Sequence, residues 1–315
     1  MDKETRTGHA VVFPGMGPTR FEDVARFMVI NPQARKLVAA ADERLGYSLI
    51  DRYRDTEGDY SEYAQVAFLV NSLALARWAE SALGCETTVC VGPSFGNKAL
   101  AVHSGALDFA DGVTMTARFA RVLDDYFATE HREAVTLSFA RTPPETLRTV
   151  RDELDAMGEW HDITCQVDDD FAMLTLSRSR LEWLQTRLRA LGGLPLYVMH
   201  PPMHSPAFDG LRRRIEDEAL AGLRFSDPQV PVISDHDGKL LTTGAEVREL
   251  ILDGCVRAVH WPDALTALRD RGVGRLFVAG QDALFGRVSV ATRNFEVTAV
   301  DPRLALRPQR RGGAR

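Results

Sequence analysis

Long apolar runs, clustered cysteines and an excess of positive charge are all missing from this 315-residue chain. No stretch reaches the about 18 consecutive apolar residues of a membrane-spanning helix, and the polar start Met1–Arg6 lacks the apolar core of a signal peptide. The four cysteines (Cys85, Cys90, Cys165 and Cys255) have no metal-ligand spacing. We therefore expect reduced thiols, no bound metal and a cytoplasmic location. A net charge of −6 argues against a general nucleic-acid binder.

The apolar pattern that is present predicts an α/β fold. Residues 10–13 and 87–91 are short apolar runs that stop at glycine-rich loops, as buried strands do. Residues 20–45 and 60–83 have helical patterns. Strands that alternate with helices indicate a parallel sheet. We expect an α/β-hydrolase-like large domain with this sheet, formed by residues 1–130 and 200–315.

The middle of the chain, residues 131–199, has a different order. Its patterns run strand, helix, two strands in a hairpin, helix and strand, and the hairpin turns at Asp168-Asp169-Asp170. This βαββαβ order is the ferredoxin-like one. We therefore expect a ferredoxin-like small subdomain inserted into the large domain.

One motif suggests a nucleophile. Gly92-Pro93-Ser94-Phe95-Gly96 matches the pattern G-x-S-x-G and lies between a predicted strand and a predicted helix. Such an elbow exposes its serine on a sharp turn, and the N–H of the next residue can face a developing oxyanion. The alternative is a plain glycine-rich turn in which Ser94 caps a helix.

Several segments in order resemble the malonyl-CoA:acyl carrier protein transacylase family, which includes the acyltransferases of polyketide synthesis. The N-terminal segment is similar to the family's F-P-G-Q-G, the elbow to its G-H-S-x-G, and later segments to its stretch after the elbow helix, its catalytic histidine and its P-V-x-S and P-V-x-W elements. The matching segments are residues 13–17, 92–96, 105–111, 204–206, 231–234 and 259–261.

The resemblance implies a role for each matching residue. Ser94 would be the nucleophile and His204 the base and then the acid, with His200 as a rival only four residues away. The backbone N–H groups of Met16 and Phe95 would form the oxyanion hole. A backbone carbonyl usually orients the histidine in this family, and the matching position is Gly254.

Departures from the family pattern concern the substrate. Malonyl-using members carry an arginine on the helix after the elbow, and that position falls on Phe119, with Arg118 one residue earlier. A slip of one residue in the alignment would restore Arg118. Met203 before the histidine, Pro93 before the serine and Met16 in place of glutamine also make the pocket more apolar. These changes predict an acyl group without a free carboxylate.

This profile is closest to the VinK-type transferases of macrolactam pathways, which move aminoacyl or dipeptidyl starters between acyl carrier proteins. The resemblance implies substrates carried on phosphopantetheine, no bound cofactor and a ping-pong reaction. The alternatives are a proofreading hydrolase, a malonyl-CoA:acyl carrier protein transferase and an inactive carrier-docking protein. We expect a monomer that docks acidic carrier proteins through arginines, which are Arg148, Arg151, Arg212, Arg213 and Arg214.

Overall fold

The computed structural model describes residues 6–56 and 58–307. The first part of the chain consists of two strands and the helices that surround them. In order these are β1 (Gly8–Val12), α1 (Phe21–Ile30), α2 (Pro32–Leu45), α3 (Leu49–Arg54), α4 (Glu62–Leu83), β2 (Thr87–Val91), α5 (Gly96–His103) and α6 (Phe109–Thr129).

The expected helix over residues 20–45 is divided in two. Asn31 ends α1 and caps α2, because its side chain accepts hydrogen bonds from the N–H groups of Gln33 and Ala34. Pro32 then takes the first position of α2, where its missing N–H costs nothing. The apolar periodicity passes through this break, which explains why the pattern alone predicts one helix.

The middle of the chain has the predicted order of elements. These are β3 (Ala134–Ala140), α7 (Pro144–Ala156), β4 (His161–Asp168), β5 (Phe171–Ser177), α8 (Leu181–Ala190) and β6 (Leu194–Met199). Their strands lie in the order β6-β3-β5-β4, which is the ferredoxin-like arrangement.

The last part returns to the large sheet through several short elements. They are α9 (Asp209–Arg214), β7 (Val232–Ile233), β8 (Leu240–Leu241), α10 (Gly244–Asp253), β9 (Val259–His260), α11 (Trp261–Asp270), β10 (Val273–Ala279), α12 (Ser289–Asn294), β11 (Glu296–Val300) and α13 (Pro302–Ala305). Within the described ranges no helix is both long and apolar enough to cross a membrane.

The large sheet has the order β11-β10-β1-β2-β7-β8. Every neighbouring pair is parallel except β7 and β8, which form a short antiparallel ribbon at one edge. β1 lies at the centre and is apolar over Ala10–Val12, which are fully buried because helices cover both faces. The α/β fold class predicted from the sequence is confirmed.

The small sheet has two different faces. Along β3, Val135, Leu137 and Phe139 pack under α7 and α8 in an apolar cluster of their own. Thr136 and Ser138 alternate with them and point to the other side, towards the large domain. This side of the sheet covers the candidate site.

One strand joins the two parts of the molecule. β9 belongs to the chain after residue 200, yet it pairs in parallel with β4 of the small sheet, with Cys165 opposite Val259. The division into residues 1–130 with 200–315 and residues 131–199 stays our proposal, with β9 as a fifth strand supplied from outside.

Candidate active site

Ser94 lies on a sharp turn between β2 and α5. Its φ of 58° is in the left-handed region, which costs a non-glycine residue about 1 kcal/mol or more. The turn is possible because glycines stand two residues before and two residues after Ser94. A Cβ on Gly92 would lie 2.4 Å from the Gly96 carbonyl, and a Cβ on Gly96 would lie 1.9 Å from the Phe13 carbonyl oxygen. The geometry is that of a nucleophile elbow.

A buried carboxylate supports this turn. Asp235 is fully buried, and its Oδ2 accepts a hydrogen bond from the Ser94 backbone N–H at 2.8 Å. Its Oδ1 accepts one from the Asn97 side-chain amide at 3.0 Å. Both bonds run to a charged acceptor and are therefore stronger than neutral ones. Sequence reasoning missed Asp235, although it lies just after the matched segment 231–234.

His204 is the ring beside the serine. Its Nε2 lies 2.8 Å from Ser94 Oγ, and its Nδ1 lies 3.1 Å from the Arg257 carbonyl oxygen. A carbonyl only accepts, so Nδ1 carries the proton and Nε2 is free to accept one from Oγ. His200 instead lies 3.3 Å from the Ala134 carbonyl oxygen, away from this pair.

The prediction that the Gly254 carbonyl orients His204 is wrong, because the Arg257 carbonyl does so. After Gly254 the chain turns once more, because Val256 and Arg257 both donate to the Asp253 carbonyl. The carbonyl that faces the ring therefore comes three residues later, at Arg257. Gly254 instead lines the cavity next to Ser94.

His204 is a neutral base in this setting. Burial is the main cause that lowers its pKa to about 4, while Asp235 opposes the shift. The ring is therefore uncharged near neutral pH and can take a proton from Ser94. Its loop is held by the Ser205 N–H, which donates to the Cys255 carbonyl at 3.2 Å. His204 itself has a φ of 67°, a second strained position at the site.

The backbone N–H groups of Met16 and Phe95 are the expected oxyanion hole. Met16 lines the cavity that contains Ser94, and Phe95 is the residue directly after Ser94. Within the described part of the chain, neither N–H donates to a backbone carbonyl. Their role as oxyanion donors stays a prediction.

A cavity of about 120 Å³ opens beside Ser94. Of the residues expected to bind substrate, Phe119 and Met203 line it. Pro93 and Arg118 do not: Pro93 is buried below the elbow, and Arg118 donates to the Ala221 carbonyl on the outside. Arg118 lies one residue from Phe119 on α6, about 100° around the helix, and so faces away from the cavity.

The cavity also contains a charged residue that sequence reasoning missed. Lys98 is buried in the first turn of α5, and its Nζ lies 3.2 Å from Gln65 Oε1. The rings of Phe119 and Phe95 lie beside Nζ, at 3.8 Å and 4.4 Å to their centroids. The sequence shows a lysine soon after the elbow, but its burial depends on Gln65 and Phe119, which are distant in sequence. The sequence suggested an apolar pocket, whereas the structure places a lysine ammonium in it.

A wider cleft of about 600 Å³ meets the cavity at Ser94 and His204. One side is the small sheet, including Tyr197 of β6, and the other is formed by loops of the large sheet. Arg287 and Arg303 lie exposed on its walls.

The arginines expected to dock a carrier protein differ in their surroundings. Arg148 and Arg151 are exposed on α7. The run Arg212–Arg214 is occupied by ion pairs within the chain, among them Arg213 with Asp209 at 2.8 Å and Arg214 with Asp125 at 2.7 Å. Its charges are therefore largely balanced by the protein itself.

Comparisons with known proteins agree with this geometry. The family described as VinK acyltransferase small domain matches residues 138–199. The malonyl CoA-acyl carrier protein transacylase of Bacillus subtilis (strain 168) is 26% identical over 309 residues, covering 94% of this chain and 92% of that protein. Polyketide synthase GfsA of Streptomyces halstedii is 27% identical over 91% of this chain, which corresponds to 4% of that much longer protein.

Solved structures show the same fold. A type II polyketide synthase malonyl-transacylase, determined in complex with its acyl carrier protein AntF, superposes with a TM-score of 0.82 at 20% identity and covers 94% of this chain and 96% of that one. The fold is that of the malonyl-CoA:acyl carrier protein transacylases. Together with the sequence matches, this confirms the resemblance to that family, and the small domain is similar to that of VinK acyltransferases.

Proposed function

We propose that this protein is a discrete acyltransferase that moves an acyl group between acyl carrier proteins through an ester on Ser94. The observation that carries the proposal is the 2.8 Å contact between Ser94 Oγ and the unprotonated Nε2 of His204, whose other nitrogen is fixed by a carbonyl. A serine becomes a nucleophile only when a base of this kind can take its proton.

The reaction has two matched halves. His204 Nε2 takes the proton of Ser94 as Oγ attacks the thioester carbonyl, and the N–H groups of Met16 and Phe95 donate to the oxyanion. The carbon–sulfur bond then breaks, and the leaving thiolate takes the proton from His204. In the second half a carrier thiol gives its proton to His204 and attacks the Ser94 ester. The bond between the acyl carbon and Ser94 Oγ then breaks, and Oγ takes the proton back from His204. Each oxyanion donor is worth about 3 kcal/mol in such reactions.

The acyl group that we propose is an aminoacyl or dipeptidyl starter without a free carboxylate, as in macrolactam polyketide synthesis. By the family resemblance, Phe119 corresponds to the arginine that holds the malonyl carboxylate. Phe119 lines the cavity, whereas Arg118 donates to the Ala221 carbonyl outside it. The match of residues 138–199 to the VinK acyltransferase small domain supports this choice over the malonyl relatives.

The partner that we propose is an acidic carrier protein bearing phosphopantetheine, and no resident cofactor is required. The cleft leads from the surface to Ser94, and Arg287 and Arg303 on its walls suit the phosphate at the start of the arm. Arg148 and Arg151 would add long-range attraction for the carrier protein. We expect the protein to act in the cytoplasm as a monomer.

A malonyl-transferring enzyme is the second candidate. Relatives such as the Bacillus subtilis transacylase carry that activity in their names, and Lys98 places a cation in the cavity. A single ammonium between two rings lacks the two-pronged geometry with which an arginine binds a carboxylate. The two candidates differ in which thioester acylates Ser94 faster.

Intact-mass spectrometry tests the proposal directly. The protein is incubated with carrier proteins bearing malonyl, aminoacyl and dipeptidyl groups, and the added mass on Ser94 identifies the acyl group. Ser94→Ala should give no acyl-enzyme while keeping its thermal unfolding temperature close to that of the native protein. Undiminished transfer by Ser94→Ala would rule out the covalent route.

A time course separates transfer from hydrolysis. The cavity is small, so an acyl chain that fills it leaves little room for water and the Ser94 ester should persist without an acceptor. Addition of a carrier with a free thiol should discharge it within seconds. Equal decay with and without the acceptor would identify a proofreading hydrolase instead.

A further inference from the structure

Lys98 has surroundings that are unusual for a lysine. Its side chain is almost fully buried, and its Nζ is in contact with Gln65 Oε1 and the rings of Phe119 and Phe95. In the described ranges it has no carboxylate partner. Burial lowers the pKa of Lys98 to about 7.

A purely structural role does not account for this residue. An apolar side chain of similar length, such as methionine, would fill the same space without the cost of burying an ammonium group. The Gln65 amide and the two rings reduce that cost, and an ammonium has three N–H donors, of which Gln65 takes one. At least one donor remains for a group in the cavity.

Lys98 and the nucleophile open into the same cavity. Ser94 lies on the turn before α5 and Lys98 lies in the first turn of α5, where its Nζ is 4.4 Å from the ring centroid of Phe95, the residue directly after Ser94. Both residues line the cavity. An acyl chain attached to Ser94 Oγ and extended into this cavity would therefore pass Lys98 beyond its ester carbonyl.

We propose that Lys98 is the specificity-determining residue of the acyl pocket, where its ammonium donates a hydrogen bond to an oxygen atom of the acyl chain. This inference rests on the proposed acyl transfer at Ser94 and extends it. The pocket would favour chains with a carbonyl or carboxylate oxygen at that depth over plain alkyl chains. It would disfavour a protonated amine there, because the two like charges would repel in a buried site.

Two sources could supply this oxygen, and the surroundings favour an amide carbonyl. Two ring faces and one amide oxygen already share the positive charge of Lys98, so a neutral acceptor suffices. A peptide carbonyl in a dipeptidyl group meets this need without adding a charge to the cavity. A carboxylate is the alternative source. Its binding would depend on the positive charge of Lys98 and not only on an N–H donor at that position.

The test uses three small thioesters of pantetheine with similar chain lengths. The N-acetyl-β-alanyl probe carries an amide carbonyl, the glutaryl probe a carboxylate and the hexanoyl probe no oxygen beyond the ester. The rate of Ser94 acylation is followed by intact mass for the native protein, Lys98→Met and Lys98→Gln. Lys36→Met, which removes an exposed lysine of α2, is the matched control.

We expect the native protein to prefer the amide probe over the hexanoyl probe about tenfold or more, the value of a hydrogen bond to a charged donor. Lys98→Met should abolish or reverse this preference, and its hexanoyl rate should rise. Lys98→Gln keeps a donor without the charge, so it should keep much of the amide preference and lose glutaryl acylation. Lys36→Met should behave as the native protein does.

The possible outcomes are distinct. A glutaryl preference that disappears in Lys98→Gln supports Lys98 as the selecting donor and identifies a carboxylate as its acceptor. Equal loss with all three probes in Lys98→Met would mean a structural role and would overturn the inference, as would a native protein without any preference. If no thioester acylates Ser94, the proposed function itself fails, whatever the result at Lys98. Thermal unfolding of each variant confirms that it is folded.

Discussion

At the scale of single residues, the state of His204 sets the acidic limit of the reaction. Its pKa is lowered to about 4 chiefly by burial. A protonated ring cannot accept the Ser94 proton, so the rate of Ser94 acylation should fall only as the pH falls through about 4. A pH–rate profile with a stable thioester measures this limit. If the rate falls instead near the ordinary histidine pKa of about 6.5, the His204 ring is in contact with water and is less buried than described.

Asp235 provides the second prediction at this scale. Its two oxygens accept from the Ser94 N–H and the Asn97 amide, and Asp235→Asn would replace one acceptor with a donor facing Asn97. We expect a loss of about 1–3 kcal/mol in the free energy of unfolding and slower acylation of Ser94. Urea unfolding and intact mass measure the two effects. Asp152→Asn, an exposed change on α7, is the control, and equal behaviour of both variants would contradict the role of Asp235.

Single residues could be predicted from the sequence where the chemistry requires one particular side chain, as for a nucleophile or a base. Ser94 and His204 were predicted from the elbow and the order of the segments, and the structure brings them together at 2.8 Å. Lys98 and Asp235 were missed because their importance depends on burial and on neighbours that are distant in sequence. Gly254 was wrong because a backbone carbonyl leaves no trace in the side-chain pattern.

At the scale of elements, the elbow depends on direct backbone contact between the end of β1 and the start of α5, with no side chain between them. A Cβ on Gly96 would lie 1.9 Å from the Phe13 carbonyl oxygen, so Gly96→Ala must push β1 and α5 apart. We expect a loss of about 3 kcal/mol or more in the free energy of unfolding, together with loss of acylation. Differential scanning calorimetry measures the first effect.

Gly17→Ala is the matched control for this prediction. A Cβ on Gly17 would have no atom within 4 Å, and its φ lies outside the left-handed region. This variant should unfold within a few degrees of the native protein. If Gly96→Ala is equally stable, the close approach of the two segments is looser than described.

Long elements were easier to predict than short ones. The middle β-α-β-β-α-β unit follows from strand and helix periods of several residues each. Strands β8 and β9 each have only two residues, and a pattern of alternation cannot be read from two positions. Their place is set by the neighbouring strands and not by their own sequence.

At the scale of the whole molecule, the arrangement of charge predicts how a carrier protein is attracted. Arg148 and Arg151 are exposed on α7, whereas Arg212–Arg214 form ion pairs within the chain. Replacing Arg148 and Arg151 by alanine should slow carrier-dependent transfer several-fold at low salt and reduce its salt dependence. Transfer to a small thiol should be unchanged.

The paired arginines offer the contrasting variant. Arg213→Ala removes one positive charge whose partner is Asp209, so it should have little effect on the carrier-dependent rate. The measurement is the initial transfer rate at several salt concentrations. A larger effect from Arg213→Ala than from the α7 variants would place the carrier on the other side of the molecule.

Strand β9 connects the two halves of the molecule to the chemistry. Residues 257–260 supply the Arg257 carbonyl to His204, the Ala258 carbonyl to His236, the pairing of Val259 with Cys165 and the His260 N–H to the Asp235 carbonyl. A rotation of the small sheet relative to the large domain would therefore displace residues 257–260, which hold the His204 imidazole in its orientation towards Ser94. If the cleft opened by movement of the small sheet, the Arg257 carbonyl would shift with it and the His204 ring would lose its alignment with Ser94.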